Sequence, residues 1–165
     1  MTARVLAGMR ITAALMDEIL NPPDAVLRQT VVSSVGSSPT VVTMGVADID
    51  TEGGWSAGNP NRYTCQLAGV YQLSGEVSFD QNGTGTRGLV IRVNGSTYVR
   101  GSAALIPGSS STVVTAAGAP RDWYLDVGDY VELLAQQSSG GALSTFLNAD
   151  QASVLNIRRV RGSAT

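Results

Sequence analysis

The sequence contains no histidine and no lysine, and its single cysteine is Cys65. Without histidine the commonest general base and the commonest metal ligand are missing, and without lysine there is no Schiff-base nucleophile. One cysteine excludes an intrachain disulfide, and a cysteine-based metal site would need its other ligands from elsewhere. We therefore expect no catalytic residues, no metal site and no cofactor, and we do not expect an enzyme.

Charge and long apolar runs are also scarce. The 165 residues carry 11 basic and 13 acidic side chains, which give a formal net charge of −2 and a pI near 4.9. This balance lacks the electrostatic footprint of a nucleic-acid-binding protein. No apolar run approaches the roughly 20 residues of a membrane span, and Arg10, Asp17 and Glu18 interrupt the N-terminal region too often for a signal peptide. We expect no nucleic-acid partner, no membrane insertion, and synthesis in the cytoplasm.

Residues 1–29 differ in pattern from the rest of the chain. Thr12 can cap a short helix over about residues 12–20, and Pro22 and Pro23 prevent its continuation. A helix of about two turns does not hold by itself in water, so it must dock on its own domain or on another protein. We interpret the segment as an anchor whose partner-binding side chains are Ile11, Leu15, Met16, Ile19 and Leu20.

The clearest strand pattern runs from Gly69 to Val99. Apolar side chains of one parity (Tyr71, Leu73, Val77, Phe79) alternate with polar side chains of the other parity, which is typical of a strand with one buried face. The pair Asn94–Gly95 lies between two extended runs and is typical of a type I′ hairpin turn. Two or three antiparallel strands are therefore predicted here.

The remainder of the chain repeats short β-branched runs separated by turn residues. Strands are predicted, among others, at Thr30–Ser34, Thr40–Val46, Tyr130–Ala135 and Ser153–Val160. Turn signals every 8 to 15 residues and about 8–10 short strands indicate an all-β fold, a two-sheet antiparallel sandwich preceded by the short helical anchor. We divide the chain into an anchor segment at 1–29 and a head domain at 30–165.

Several local motifs suggest chemistry but have simpler interpretations. Residues 83–88 match G-x-G-x-x-G, yet the β-branched run that follows predicts a strand where a dinucleotide site needs a helix. Asp48, Asp50 and Glu52 could offer oxygens to calcium, but their spacing is not that of an EF-hand, so we favour a solvated acidic loop over an interface cation. Cys65 lies in an alternating apolar run and is interpreted as a buried small side chain. Three arginines near the C-terminus are interpreted as edge protection and intersubunit pairs.

Taken in order, several motifs resemble the globular heads of complement and tumour-necrosis-factor-like proteins, in particular the versions found in bacteriophage virion proteins. They are G-V-Y at 69–71 with V-S-F at 77–79, R-G-L-V-I at 87–91, V-N-G at 93–95 and V-G-D-Y-V-E-L at 127–133. The N-terminal run at 6–14 is similar to a short leader of phage tail and head-fibre proteins. The resemblance implies a jelly roll that assembles as a homotrimer through apolar sheet faces and carries no catalysis.

The residues agree with a second buried face. Val90, Tyr130 and Leu134 have the parity opposite to the expected core positions, and such a face calls for a partner, so we predict them at the trimer interface. The expected function is a non-enzymatic virion structural protein on the particle surface, a decoration, head-fibre or minor tail protein attached to capsid or tail proteins through residues 1–29. The alternative is a tip module that binds a host-surface receptor or glycan through the loops at 48–61, 106–111 and 138–141.

Overall fold

The computed structural model describes Thr12, Met16 and residues 22–162. The described chain is β structure apart from the helical residue Met16. Its strands are β1 Asp24–Arg28, β2 Ser34–Val35, β3 Thr40–Val41, β4 Val46–Asp50, β5 Tyr63–Thr64, β6 Gly69–Phe79, β7 Thr86–Val93, β8 Thr97–Tyr98, β9 Ala104–Pro107, β10 Val114–Ala117, β11 Arg121–Leu125, β12 Tyr130–Gln137, β13 Leu143–Ser144 and β14 Val154–Gly162. Among the described residues no helix is both long and apolar enough to span a membrane.

Two six-stranded sheets pack face to face. The first has the order β10-β6-β14-β1-β4, with β11 also paired to β6. The second has the order β3-β12-β7-β8, with β5 on β12 and β9 on β7, and the short pair β13–β2 stands apart. Every pairing is antiparallel. In both sheets most neighbouring strands are not consecutive in the sequence. The predicted two-sheet jelly-roll sandwich is confirmed.

Strand β6 is the longest element and behaves as its alternation predicted. Its side chains of one parity lie in the core and are completely buried: Tyr71, Leu73, Val77 and Phe79. They face the inward side chains of the second sheet, among them Leu89, Ile91 and Leu133, in one continuous apolar cluster. Each fully buried side chain of this size contributes roughly 1.5–3 kcal/mol to the free energy of folding.

The hairpin turn at Asn94–Gly95 is also confirmed. Asn94 has φ 52° and Gly95 has φ 69°, the two positive values that a type I′ turn requires. Ser96 donates its amide to the Val93 carbonyl at 3.3 Å, which closes the turn. Asn94 is the one non-glycine residue with a positive φ in the described chain, and asparagine tolerates this region better than most residues.

The start of the sandwich differs from the sequence prediction. No strand spans Thr30–Ser34; instead Ala25 and Leu27 of β1 point into the core, and β1 pairs with both β14 and β4. After β1 the chain bends, and Val31 is exposed. The alternation of Ala25 and Leu27 is short and follows two prolines, so the sequence alone does not distinguish a strand from a linker here. The sandwich thus includes residues that the sequence assigned to the N-terminal segment.

The strand directions give the sandwich two distinct ends. At one end, here called the base, β1 begins at Asp24, β14 ends at Gly162, and the turns at 94–96 and 126–129 connect strands. At the other end, here called the tip, lie the loops 80–85, 108–113 and 138–142. The described chain therefore enters and leaves the sandwich at the base.

Candidate functional site

The loops of the tip are held together by a buried arginine. Arg87 is completely buried, and its guanidinium donates to the carbonyls of Thr84 and Thr86, each at 2.9 Å, and of Asn82 at 2.6 Å. No carboxylate among the described residues pairs with it, and its Nε has no acceptor there. Burial lowers the pKa of Arg87. Within the described chain, backbone carbonyl dipoles alone offset the cost of burying this cation.

Gln137, which pairs with Arg87 in the β7–β12 ladder, binds backbone groups of neighbouring loops in the same way. The two N–H groups of Gln137 Nε2 are shared among the carbonyls of Val35, Gly36 and Gly141 at 2.6–3.2 Å, and its Oε1 accepts the Ser139 amide at 2.6 Å. Gln137 and Arg87 are therefore buried side chains whose hydrogen bonds hold the backbone of different loops at the tip.

The tip loops also approach each other closely. A Cβ at Gly85 would lie 2.1 Å from the Ser138 carbonyl oxygen, and one at Gly108 would lie 2.8 Å from Nη2 of Arg87. Beside them a pocket of about 230 Å³ is lined by Ser37, Gln137, Ser138, Gly140, Gly141 and Ala142. The loop segments 81–85, 107–113 and 137–142 contain no charged and no aromatic side chain. Apart from the exposed carboxylate of Asp80, the tip therefore presents hydroxyls, amides and backbone groups.

Sequence reasoning missed both buried polar residues, although the signal was present. Arg87 has the parity of Leu89 and Ile91, and Gln137 has the parity of Leu133 and Ala135. Extending the core face of each strand by one step leads to a polar side chain, which single-residue hydrophobicity places at the surface.

The loops that the sequence combined into one binding surface lie at different ends. The segments 106–111 and 138–141 meet at the tip, together with 80–85, whereas the loop that follows β4 lies at the base, where Gly54 accepts the Thr64 amide at 2.7 Å. The correct cluster could not be found from loop composition because strand direction decides which turns share an end.

Asp48 and Asp50 lie in strand β4 and not in a loop as the sequence predicted, and protein groups bind their carboxylates. Asp48 forms an ion pair with Arg28 at 2.7 Å, and the Arg28 hydrogen bonds hold the pKa of Asp48 below its usual value. Asp50 accepts the amides of Gly54 and Trp55 at 3.0 and 2.9 Å. No cluster of three or more potential metal ligands occurs in the described part of the chain.

Cys65 is buried in the core cluster as its alternating run predicted. Its Sγ donates to the Leu67 carbonyl at 3.2 Å, and the hydroxyl of Tyr71 donates to the same carbonyl at 2.6 Å. Burial raises the pKa of the Cys65 thiol, which works against the reactive thiolate.

The predicted trimer residues lie on the outward face of the second sheet. Val90 and Leu134 pair across β7 and β12, and they are 9% and 1% exposed within a single chain. The Tyr130 ring is partly covered by Arg62, whose Cζ lies 4.5 Å from the ring centroid. Val90 and Leu134 therefore have little free surface to give to a second copy, and their role in an interface stays a prediction.

Of the predicted anchor residues, Met16 alone lies within the described chain. It is helical, 40% exposed, and its amide donates to the Thr12 carbonyl at 3.0 Å, as expected for a helix that begins near Thr12. Ile11, Leu15, Ile19 and Leu20 lie outside the described residues.

The C-terminal arginines do not protect a sheet edge. They belong to β14, which lies between β6 and β1 in the middle of the first sheet. Arg158 points outward and is exposed, whereas Arg159 is 7% exposed and donates to the Ala68 carbonyl at 2.9 Å. A sequence pattern alone does not distinguish an edge strand from a central one when the pairing is non-local.

Comparison with solved structures identifies this sandwich. The globular domain of the zebrafish complement 1qA protein matches 86% of this chain and 99% of its own, with a TM-score of 0.62 and 16% identity. Murine APRIL at pH 5.0 matches 85% of this chain and 100% of its own, with a TM-score of 0.66 and 15% identity. Eiger TNF from S. frugiperda matches 88% and 97%, with a TM-score of 0.57 and 11% identity. The chain has the complement and TNF-like jelly-roll fold.

This fold assignment agrees with the resemblance carried by the sequence motifs. The G-V-Y and V-S-F motifs lie in β6, R-G-L-V-I lies in β7, and G-D-Y-V-E-L opens β12. Each of these three strands has a neighbour on both sides within its sheet. No protein-family model and no curated protein matches the chain.

Proposed function

We propose that the chain is a non-enzymatic structural protein of a bacteriophage particle, a homotrimeric jelly-roll head held on capsid or tail proteins by its N-terminal segment. The observation that carries the proposal is the separation of base and tip. The chain enters the first sheet at Asp24, so the part of the proposed anchor segment before β1 leads into the base, and the loops held by Arg87 and Gln137 lie at the far end. A head attached in this way has its base toward the particle and its tip outward.

The outward face of the first sheet supports the trimer. Val26, Val70 and Val154 are only partly buried there, and Tyr124, which pairs with Val70, is 46% exposed. These apolar side chains lie on the same face as polar ones such as Gln72, Ser74 and Arg158. A second copy that covered the apolar ones would add free energy of association, and a closed threefold ring covers all copies equally. The motif resemblance to trimeric heads points to the same assembly.

Native mass measurement and particle binding test the two parts of this proposal separately. We expect a trimer for the full chain and for a shortened chain that begins at Pro22. We also expect the full chain, but not the shortened one, to sediment with isolated virions. A monomeric head at micromolar concentration would overturn the trimer, and equal binding of both chains to virions would overturn the anchor.

The hydrogen bonds that Arg87 and Gln137 make to the tip loops favour a second candidate function, a receptor- or glycan-binding module. Loops that internal hydrogen bonds already hold in place lose little conformational entropy when they bind a ligand. The pocket beside Gln137 gives these loops a concave surface. Ser110→Arg at the tip and Ser56→Arg at the base form a matched pair, since both serines are exposed. If the tip binds the host, particles with Ser110→Arg adsorb more slowly to cells while Ser56→Arg has no effect. Unchanged adsorption with both variants would restrict the protein to a structural role.

A further inference from the structure

The chain contains two Asn–Gly pairs, Asn82–Gly83 and Asn94–Gly95, and the structure holds their side chains differently. An asparagine before glycine can lose ammonia when the glycine amide nitrogen attacks the side-chain carbonyl carbon, because glycine offers little steric hindrance. The reaction requires the side chain to fold over the following peptide. The two sites can therefore be compared by the hydrogen bonds that permit or prevent this movement.

Asn82 is arranged for the reaction. Its Oδ1 accepts the amide of Thr84 at 2.8 Å, which is an Asx turn that folds the side chain back over the Gly83 peptide. The same amide would stabilise the negative charge that develops on Oδ1 when the carbonyl carbon is attacked. Within the described chain Nδ2 of Asn82 has no hydrogen-bond partner, and Gly83 is exposed to solvent.

Asn94 is held away from the reaction. Its Nδ2 donates to Asp129 Oδ1 at 2.8 Å, and its Oδ1 accepts the amide of Tyr130 at 2.9 Å. Its own amide donates to the Tyr130 carbonyl at 2.9 Å, as the Asn82 amide does to the Ser109 carbonyl at 2.7 Å, so the two sites differ in their side-chain hydrogen bonds. Attack by Gly95 would require at least the two side-chain hydrogen bonds to break first.

We propose that Asn82 is a deamidation site of the folded protein and that Asn94 is protected. The Gly83 nitrogen forms a bond to Cγ of Asn82, the Cγ–Nδ2 bond breaks, and ammonia leaves with the proton of the Gly83 amide. Water then opens the resulting succinimide. Attack at Cγ gives aspartate, and attack at the main-chain carbonyl carbon gives isoaspartate with one extra carbon in the backbone.

The product changes the environment of Arg87. The Asn82 carbonyl accepts Nη2 of Arg87 at 2.6 Å, and the carbonyl of Thr84, whose amide holds the Asn82 side chain, accepts Nη1 at 2.9 Å. Deamidation therefore adds a negative charge beside a buried guanidinium that lacks a carboxylate partner among the described residues. The isoaspartyl product would instead displace the carbonyl that the guanidinium binds.

Peptide mapping by mass spectrometry tests the proposal directly. Cleavage after arginine places Asn82 in the peptide 63–87 and Asn94 in the peptide 93–100, so both sites are followed in one sample. During incubation of the full chain in mildly alkaline buffer, we expect Asn82 to gain the mass of an amide-to-acid exchange about tenfold faster than Asn94, the factor that two modest hydrogen bonds at the protected site can supply.

The same chain in concentrated urea is the control, because the local sequences Asn-Gly-Thr and Asn-Gly-Ser are nearly equivalent once unfolded. The two rates should converge in urea, and Asp129→Ala should accelerate Asn94 in the folded protein. Equal rates in the folded chain, a faster reaction at Asn94, or no reaction at Asn82 under conditions where the unfolded chain reacts would overturn the proposal.

Discussion

At the scale of single residues, Arg87 is the side chain whose loss should matter most at the tip. Arg87→Met would leave the carbonyls of Asn82, Thr84 and Thr86 without their donor. We expect the free energy of unfolding to fall by about 2 kcal/mol, since the lost hydrogen bonds exceed the relief from burying a cation. Arg100→Met is the control because Arg100 is exposed, and urea titration should show a change below about 0.5 kcal/mol. An equal effect of both variants would contradict the role of Arg87.

Arg87 has no carboxylate partner among the residues that the structure describes, and this gives a second prediction. Asn82→Asp keeps an acceptor for the Thr84 amide and adds a carboxylate beside the guanidinium, so we expect a stability gain of about 1 kcal/mol at neutral pH. A carboxylate that gains a cationic partner in the folded state has its pKa lowered there. The gain should therefore persist above about pH 4 and vanish as the pH falls further. Thermal unfolding at several pH values measures it, and lower stability at neutral pH would count against the argument.

We expect two buried tyrosines to make the fold less stable at alkaline pH. Burial raises the pKa of Tyr63 and of Tyr71, so their phenols stay neutral in the folded chain at pH values where they ionise in the unfolded chain. A raised folded-state pKa gives stability that is complete below the unfolded pKa and is lost as the pH rises beyond it, here from about pH 10. The loss should be smaller in Tyr63→Phe. A parallel alkaline decline of both proteins in thermal melts would exclude Tyr63 as a cause.

At the scale of elements, the contact between the loops 80–85 and 138–142 depends on Gly85. It has φ 71°, and any Cβ there would collide with the Ser138 carbonyl. We expect Gly85→Ala to cost about 2–4 kcal/mol from backbone strain and displacement of the neighbouring loop. Gly36→Ala is the matched control because a Cβ at Gly36 meets nothing within 4 Å and its φ is not positive, and it should be neutral in urea unfolding. A small cost at Gly85 would mean that the loops are not tightly packed.

The elements also show what the sequence could predict. Strand β6 and the Asn94–Gly95 turn were predictable because parity and turn chemistry act over a few neighbouring residues. Strand β1 was not, since its pairing with β14, more than 120 positions away, and with β4 makes so short an alternation a strand. The tip cluster was missed for the same reason: Arg87 and Gln137 become neighbours through the β7–β12 ladder, which local patterns do not encode.

At the scale of the whole molecule, the position of β1 determines where the head can be shortened. A chain that begins at Pro22 keeps β1, whereas one that begins at Gln29 loses a strand that lies between β14 and β4. We expect the first to unfold cooperatively at a temperature near that of the full chain. The second should bind ANS and lose cooperative unfolding, because Ala25 and Leu27 leave the core and β4 loses the one strand that pairs with it in the described part of the chain. Equal cooperative melting of the two shortened chains would contradict the observed sheet order.

Both ends of the described sandwich lie at the base, which makes a circular permutation of the chain possible. Since β1 begins and β14 ends at the base, a short linker could join these two strands, and new termini could be opened in the 138–142 loop without cutting a strand. Gly140 and Gly141 have open space around them and tolerate such a change better than the crowded glycines nearby. A permuted chain of this kind would reverse which end of the sandwich is tethered.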